Sequence, residues 1–205
     1  HQLFDTVRGV NKYLMSNQSN GQTTDASINL TFNSNGFTFD NNEDNLNNSS
    51  GEYVSWAWRK QEKFFDIVTY TGNNTGQTIA HNLGSVPGMI LIKRYDFGDD
   101  WVVYHKGAHS SSPQNYALKL NEQNQRNSSS SWFNNTAPTA THFTVGNSAQ
   151  VSQGGASFIA YLFAHNEAEF GAGSDKPIIH IGNYTGNGNS AAGYGPTVTV
   201  GFRPQ

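Results

Sequence analysis

One strand-like sentence is written twice in this chain, and that duplication limits what it can fold into. Tyr53-Val54-Ser55-Trp56-Ala57-Trp58 returns as Phe158-Ile159-Ala160-Tyr161-Leu162-Phe163. Phe37-Thr38-Phe39 returns as Phe143-Thr144-Val145, Phe32-Asn33 as Phe133-Asn134, and Tyr70-Thr71-Gly72-Asn73 as Tyr184-Thr185-Gly186-Asn187. The offsets are 105, 106, 101 and 114, which describes two related units with loop insertions between them. The expected division is residues 1–94 and 95–205. The first unit runs through Gly84-Ser85-Val86-Pro87 into Met89-Ile90-Leu91-Ile92-Lys93, whereas the second reaches Val198-Thr199-Val200-Gly201-Phe202-Arg203-Pro204 without such a run after it. This places the 205 residues as a window cut mid-repeat from a longer repetitive protein. On that reading each terminal strand finds its partner in further chain or in a neighbouring subunit, since bare strand edges invite pairing.

The hydrophobic period is 2 rather than 3.6. Val54, Trp56 and Trp58 share one face of an extended strand, and the second copy repeats the bulky set as Ile159, Tyr161 and Phe163. Both sets are expected to point into a core. Further strands are expected at residues 30–32, 37–39, 66–70, 89–94, 101–105, 116–120, 142–145, 178–184 and 197–202. Turn signals such as Ser34-Asn35-Gly36, Phe97-Gly98-Asp99-Asp100 and Gly186-Asn187-Gly188-Asn189 separate them. Short helical turns fit only residues 4–13 and 165–170. The spacing predicts an all-β fold, an antiparallel sandwich or jelly roll.

Composition narrows the function classes. With 25 Asn, 21 Gly, 20 Ser and 16 Thr against 13% charged residues, the chain is turn-rich rather than a disordered polyelectrolyte, and 13% aromatics can build a core. The net charge is −3 and the only basic cluster is Arg59-Lys60-Lys63, which argues against nucleic acid as a partner. No apolar run approaches the ~18 residues that span a bilayer, so no membrane insertion is expected. The absence of Cys removes thiolate chemistry and disulfides, and in a loop-rich extracellular chain it favours a bacterial or viral origin.

Residues that carry chemistry do not converge on a catalytic pattern. Asp99/Asp100 and Glu167/Glu169 are the close acid pairs, and glycoside hydrolysis needs two acids about 5–9 Å apart. Asp99-Asp100 follows Gly98 in a turn, where Asp bonds its own backbone. His105 and His109 have helical metal-ligand spacing, but Gly107 and the serines that follow make this a loop, and no third ligand is evident. Asp40-Asn41-Asn42-Glu43-Asp44 is rich in oxygen ligands suited to Ca²⁺ but lacks the pattern of a calcium loop, so a solvated hairpin is the expectation. No enzyme, metal or cofactor is therefore expected. Trp132, next to Asn134-Asn135 in the most polar context of any Trp, is the candidate for stacking on a sugar, with the two amides as hydrogen-bonding partners.

Leu3-Phe4-Asp5-Thr6-Val7-Arg8-Gly9 with Lys12-Tyr13-Leu14, then Phe32-Asn33-Ser34-Asn35-Gly36-Phe37, Tyr53–Trp58, Tyr70–Asn73, Trp132–Thr139 and Gly201–Pro204 together resemble a repeated domain of unknown function. That domain is common in tail-fibre and other structural proteins of phages, marine and cyanobacterial ones especially. The resemblance covers nearly the whole chain and brings no catalytic residues with it. It implies a structural and adhesive module of a virion surface appendage, trimeric where the appendage is a fibre, that meets host surface glycan or protein. Two other readings stand beside it: a carbohydrate-binding module of a bacterial extracellular protein, and a polysaccharide depolymerase.

Overall fold

A computed structural model of the chain describes residues 1–39, 46–167, 169, 170, 173, 175–189, 193 and 195–204. Strand makes up 31% and helix 7%, so the fold is all-β. The strands are β1 (Gln2–Phe4), β2 (Lys12–Met15), β3 (Thr23–Thr24), β4 (Leu30–Asn33), β5 (Gly36–Phe39), β6 (Phe65–Thr71), β7 (Gln77–Ala80), β8 (Met89–Arg94), β9 (Val102–His105), β10 (Tyr116–Lys119), β11 (Asn127–Ser128), β12 (His142–Val145) and β13 (Ser157–Phe163). Two four-residue helices, α1 (Ser130–Phe133) and α2 (Ala149–Ser152), and two 3-10 turns, Ala26–Ile28 and Pro113–Asn115, complete the regular elements. The main sheet has six strands in the order β11-β10-β9-β8-β13-β6, with β1-β2-β3, β7-β12 and β4-β5 as smaller sheets.

The central strand explains the layering. Phe158-Ile159-Ala160-Tyr161-Leu162-Phe163 is apolar throughout, which suits a strand covered on both faces. It pairs antiparallel with β6 on one side (Ser157↔Thr71 to Phe163↔Phe65) and with β8 on the other (Phe158↔Arg94 to Phe163↔Met89). Phe158, Ala160 and Leu162 pack with Ile79 of β7, Phe143 and Val145 of β12, Phe133 of α1 and Val151 of α2. Ile159, Tyr161 and Phe163 face the opposite way, towards Leu14 of β2 and Trp101. The large sheet is thus the middle of three layers.

The second layer is fastened by the opening motif. Asp5 accepts from the backbone N–H of Val7 and Arg8 at 3.1 and 2.8 Å, from Arg8 Nε at 2.6 Å and from the Tyr161 hydroxyl at 2.7 Å. Arg8 also donates to the Leu3 carbonyl at 2.9 Å, and both side chains of the pair are about fully buried. Asp5-Thr6-Val7-Arg8-Gly9 is therefore a structural latch between the N-terminal strands and β13, with Gly9 at φ +93° closing the turn.

The duplication does not divide the molecule at residue 94. That boundary falls between β8 and β9, which are paired from Met89↔His105 to Ile92↔Val102, so strands from both sequence units build one sheet. The expected inward set of the first copy is also corrected. Residues 52–60 form no strand; Val54, Trp56 and Trp58 are 87%, 80% and 46% exposed, whereas Ile159, Tyr161 and Phe163 are buried. The two copies differ in their surroundings: β13 is paired on both sides, by β6 and β8, whereas residues 53–58 pair with no strand. Only Trp58 reaches the core, edge-on to Phe163 at 5.9 Å between ring centres.

Residues 178–184 and 197–202 are likewise irregular. The first of these runs docks by side chains instead, with Ile181 against Gly88 and Asn183 against Gly107. The helical turns lie at α1 and α2 rather than at 4–13 or 165–170, because Ser129 and Ser148 cap them, each accepting a backbone N–H two residues on. The region 4–13 instead holds the end of β1 and the start of β2. Asp40–Asp44, weighed for Ca²⁺, lies outside the described residues.

The Asn-rich composition has a backbone explanation. Among the described residues seven non-glycine residues have positive φ, and all but Lys63 are Asn: Asn11, Asn29, Asn74, Asn134, Asn135 and Asn166. The repeated Tyr-Thr-Gly-Asn motif is structural in its first copy. Gly72 passes so close to Gln153 that an added Cβ would lie 2.2 Å from the Gln153 carbonyl oxygen, and the Tyr70 hydroxyl donates to the Val151 carbonyl at 2.8 Å. Asn73 closes a turn by accepting from Thr75 N–H at 2.9 Å; Asn187 does the same for Asn189 at 3.0 Å, so the second copy keeps the turn without the strand.

Lys93 in β8 is fully buried and donates to three backbone carbonyls, Ser19 at 3.1 Å, Arg94 at 2.8 Å and Asp99 at 2.7 Å. Burial pulls its pKa down to about 8, against the opposing charges of Asp99 and Asp100. Because the folded value lies below the ordinary 10.5, its contribution to stability is full above that value and is lost as pH falls towards 8. Lys93→Met is expected to cost about 1–3 kcal/mol, the cost of leaving buried carbonyls without donors. It should also flatten the rise in Tm between about pH 8 and 9.5. Thermal melts of both proteins across that range check this.

Candidate basic pocket

A concavity forms where the end of β9 and the following loop meet Arg126 and the C-terminal run. It measures about 590 Å³ and is lined by Lys106, His109, Arg126, His165, His180 and Ile181, with Gly107, Ser110, Gly182 and Asn183 between them. Among the described residues no carboxylate lines it. The volume falls in the range of small-ligand sites.

Local bonding turns the side chains into hydrogen-bond donors. His109 accepts at Nδ1 from Ser111 N–H at 3.3 Å and Ser112 N–H at 3.1 Å, and its ring stacks on Tyr116 at 4.8 Å and 10°. His165 accepts at Nδ1 from Ile181 N–H at 3.1 Å. An Nδ1 that accepts must leave the proton on Nε2, so both rings donate there in either charge state. Arg126 lies over the Tyr116 ring at 5.0 Å and gives one N–H to the Ala108 carbonyl, which leaves further N–H groups of the guanidinium. His165 and His180 sit 5.0 Å apart between ring centres, and Nδ1 of His180 is buried without a hydrogen-bond partner. The pKa of His165 is drawn down to about 4, first by burial and then by the like charges of Lys106, His180 and His105. At neutral pH Lys106 and Arg126 carry the fixed charge of the pocket, beside the neutral imidazole of His165.

The expected sugar-stacking site is built differently. Trp132 is buried within the core, 9% exposed, and Lys119 covers its ring with Nζ 4.7 Å from the centre. Asn134 and Asn135 are exposed at the end of α1 in left-handed conformations, φ 50° and 51°. The aromatic and the amides are neighbours in sequence but not on one surface, because Trp132 faces the core side of a four-residue helix whose C-cap is Asn134. No stacking platform forms there.

The acid pairs are engaged as well. Asp99 accepts from Asp100 N–H at 3.0 Å, the expected turn bond. Asp100 accepts from Asn121 at 2.9 Å and Gln150 at 3.0 Å and pairs with Lys119 at 3.4 Å. Burial raises its pKa, but these three partners together hold it below the ordinary carboxylate value. Glu169 pairs with Lys63 beside a smaller hollow of about 160 Å³. His105 accepts from Gly107 N–H at 3.0 Å, which makes the His105–His109 stretch a loop as expected. Among the described residues no three His, Cys, Asp or Glu come together as a metal site.

Of the pocket's charged residues, His105–His109 spacing was visible in the sequence only as a weak metal pattern. Lys106, Arg126, His165 and His180 are spread over 75 residues and are joined only by the fold. Their single shared sign was the available clue. A sequence profile for a domain of unknown function, DUF7483, matches residues 1–205. The chain belongs to the DUF7483 family. No curated protein and no solved structure matches it. No helix among the described residues of this DUF7483 domain is long and apolar enough to cross a membrane.

Proposed function

We propose that this DUF7483 domain is a structural and adhesive module of a virion surface appendage, a phage tail fibre in the leading form, that holds a host surface rather than cutting it. The observation that carries the binding part is the pocket of about 590 Å³ whose lining brings together two cations, three imidazoles, Ser110 and Asn183, with Ile181 and two glycines between them. Such a lining holds a partner, whereas hydrolysis of a sugar bond would require acids. The virion setting rests on the resemblance of the opening and closing motifs.

A second feature supports assembly with copies of itself. Tyr53, Val54, Trp56 and Trp58 form an exposed apolar run, 50%, 87%, 80% and 46% accessible, of the kind that marks interaction surfaces. Its sequence counterpart, β13, is flanked on both sides by strands. Contact between copies through this run fits a repetitive appendage, and weak attachments gain from such valency. Trp56→Ser is expected to shift the purified protein from oligomer to monomer in analytical ultracentrifugation. A wild-type protein that is monomeric at 100 µM would remove the self-association part.

Immunogold labelling of particles and cells decides the main reading. Gold on tail fibres or another surface appendage supports it. Gold on cell envelopes alone selects a bacterial carbohydrate-binding module instead. Release of shorter oligosaccharides from host polysaccharide, abolished by replacing one Asp or Glu, would make the protein a depolymerase.

A further inference from the structure

We propose that the basic pocket binds an anionic sugar, a ring bearing a carboxylate or phosphate, as found in acidic surface polysaccharides; this rests on the attachment reading above and names its ligand. The geometry supplies the two things such a residue needs. Lys106 and Arg126 place two cations on one cavity of about 590 Å³ with no carboxylate to neutralise them. Arg126 presents a planar fork suited to two oxygens of one oxyanion, steadied by its place over Tyr116 and its bond to the Ala108 carbonyl. His109 and His165, with Nδ1 tied to backbone N–H groups, offer Nε2–H donors to ring hydroxyls or to the anion. The buried, unpartnered Nδ1 of His180 beside His165 is a further polar atom that a ligand hydroxyl or bridging water would satisfy.

Other features of the molecule explain themselves. The smaller hollow holds a cation and an acid that pair with each other. The buried Asp5–Arg8–Tyr161 and Lys93 clusters have their partners within the fold. In the basic pocket the two cations, Lys106 and Arg126, meet no carboxylate among the described lining residues.

The pocket selects by charge and hydrogen bonding rather than by stacking, because among the described residues no Phe, Tyr or Trp lines it. Neutral sugars of the same shape therefore bind more weakly, and salt weakens the acidic ones.

The test is titration of the whole 205-residue chain with glucuronate, glucose 6-phosphate, neutral glucose and inorganic phosphate, followed by NMR or calorimetry. Glucuronate or glucose 6-phosphate should bind at least about tenfold more tightly than glucose, and the stronger of the two identifies the anion. Lys106→Gln should weaken that ligand about tenfold, the loss expected for one charge-assisted contact. Arg126→Lys, which keeps the charge but loses the fork, should weaken it measurably as well, with an unchanged near-ultraviolet circular dichroism spectrum for both variants. Equal binding of glucose, or no binding of either acidic sugar, overturns the proposal. Inorganic phosphate as tight as glucose 6-phosphate would reduce the site to an anion hole and overturn its sugar part. If Lys106→Gln loses the acidic sugar but host adsorption is unchanged, the attachment reading stands and this pocket is not its receptor site. If the acidic sugar binds but the protein is absent from virions, the pocket stands and the attachment reading falls.

Discussion

Phe158→Ala is expected to destabilise the fold by about 3–5 kcal/mol, the range for truncating a large buried aromatic. Trp56→Ala is expected to change stability by less than about 0.5 kcal/mol, as surface substitutions generally do. The two residues sit in the two copies of one sequence motif, so the contrast isolates context from composition. Phe158 has no exposed surface and stacks on Tyr70 at 5.1 Å and 12°, inside the layer formed by Phe143, Val145 and Val151. Trp56 is 80% exposed and touches chiefly Trp58, at 6.5 Å between ring centres. Because α1, β7 and β12 all rest on the Phe158 side, the cavity left by truncation cannot collapse without moving three elements. Urea unfolding monitored by Trp fluorescence measures both changes. It should be run at a concentration low enough that self-association does not contribute. A cost at Trp56 comparable to that at Phe158 would mean that residues 53–58 pair as a strand in solution.

Asp5→Ala should produce the second large effect, about 3–5 kcal/mol, which is the cost of breaking a buried ion pair from one side. Four donors converge on that carboxylate: the backbone of Val7 and Arg8, the Arg8 guanidinium and the Tyr161 hydroxyl. Removing it strands the Arg8 charge where its side chain is 1% accessible. The Tyr161 hydroxyl, whose pKa is already raised well above its ordinary value by burial, loses its acceptor at the same time. Since the latch joins β1 and β2 to the large sheet, its loss should first free the N-terminal strands. Hydrogen exchange should then rise in residues 2–15 at denaturant concentrations where β8, β13 and β6 remain protected. The double variant Asp5→Ala/Arg8→Met should be less destabilised than Asp5→Ala alone, because it removes the unpaired charge. Additive losses would show that the two residues act independently and that the latch is not a unit.

Several elements were legible from residues alone, and for a common reason. Strands β4, β5, β6, β8, β9, β10, β12 and β13 carry their period-2 pattern and β-branched or aromatic residues locally, so their place in the chain marks them. The turns did too, because left-handed positions favour Gly or, as mostly here, Asn. The turn role of Asp99 and the loop at His105–His109 follow from the same local chemistry. Strands β1, β2, β3, β7 and β11 were not legible, being short or polar and held by the partners they meet.

The sequence by itself therefore determined the all-β class, most strand positions and the absence of a local catalytic pattern. Only the tertiary structure decided which copy of the repeated strand would be core. Local sequence sets a residue's willingness to extend, and Tyr53–Trp58 and Phe158–Phe163 are equally willing. β13 is paired on both sides, by β6 and β8, whereas residues 53–58 pair with no strand, and Trp56 stays in solvent. The same holds for function. Trp132 carried a visible aromatic-plus-amide pattern, but the fold turned its ring inward under Lys119. Lys106, Arg126, His165 and His180 carried no pattern, and the sheet brought them around one cavity. Charges far apart along a chain interact only once the chain has folded, so their convergence is a property of the structure and not of any stretch of sequence.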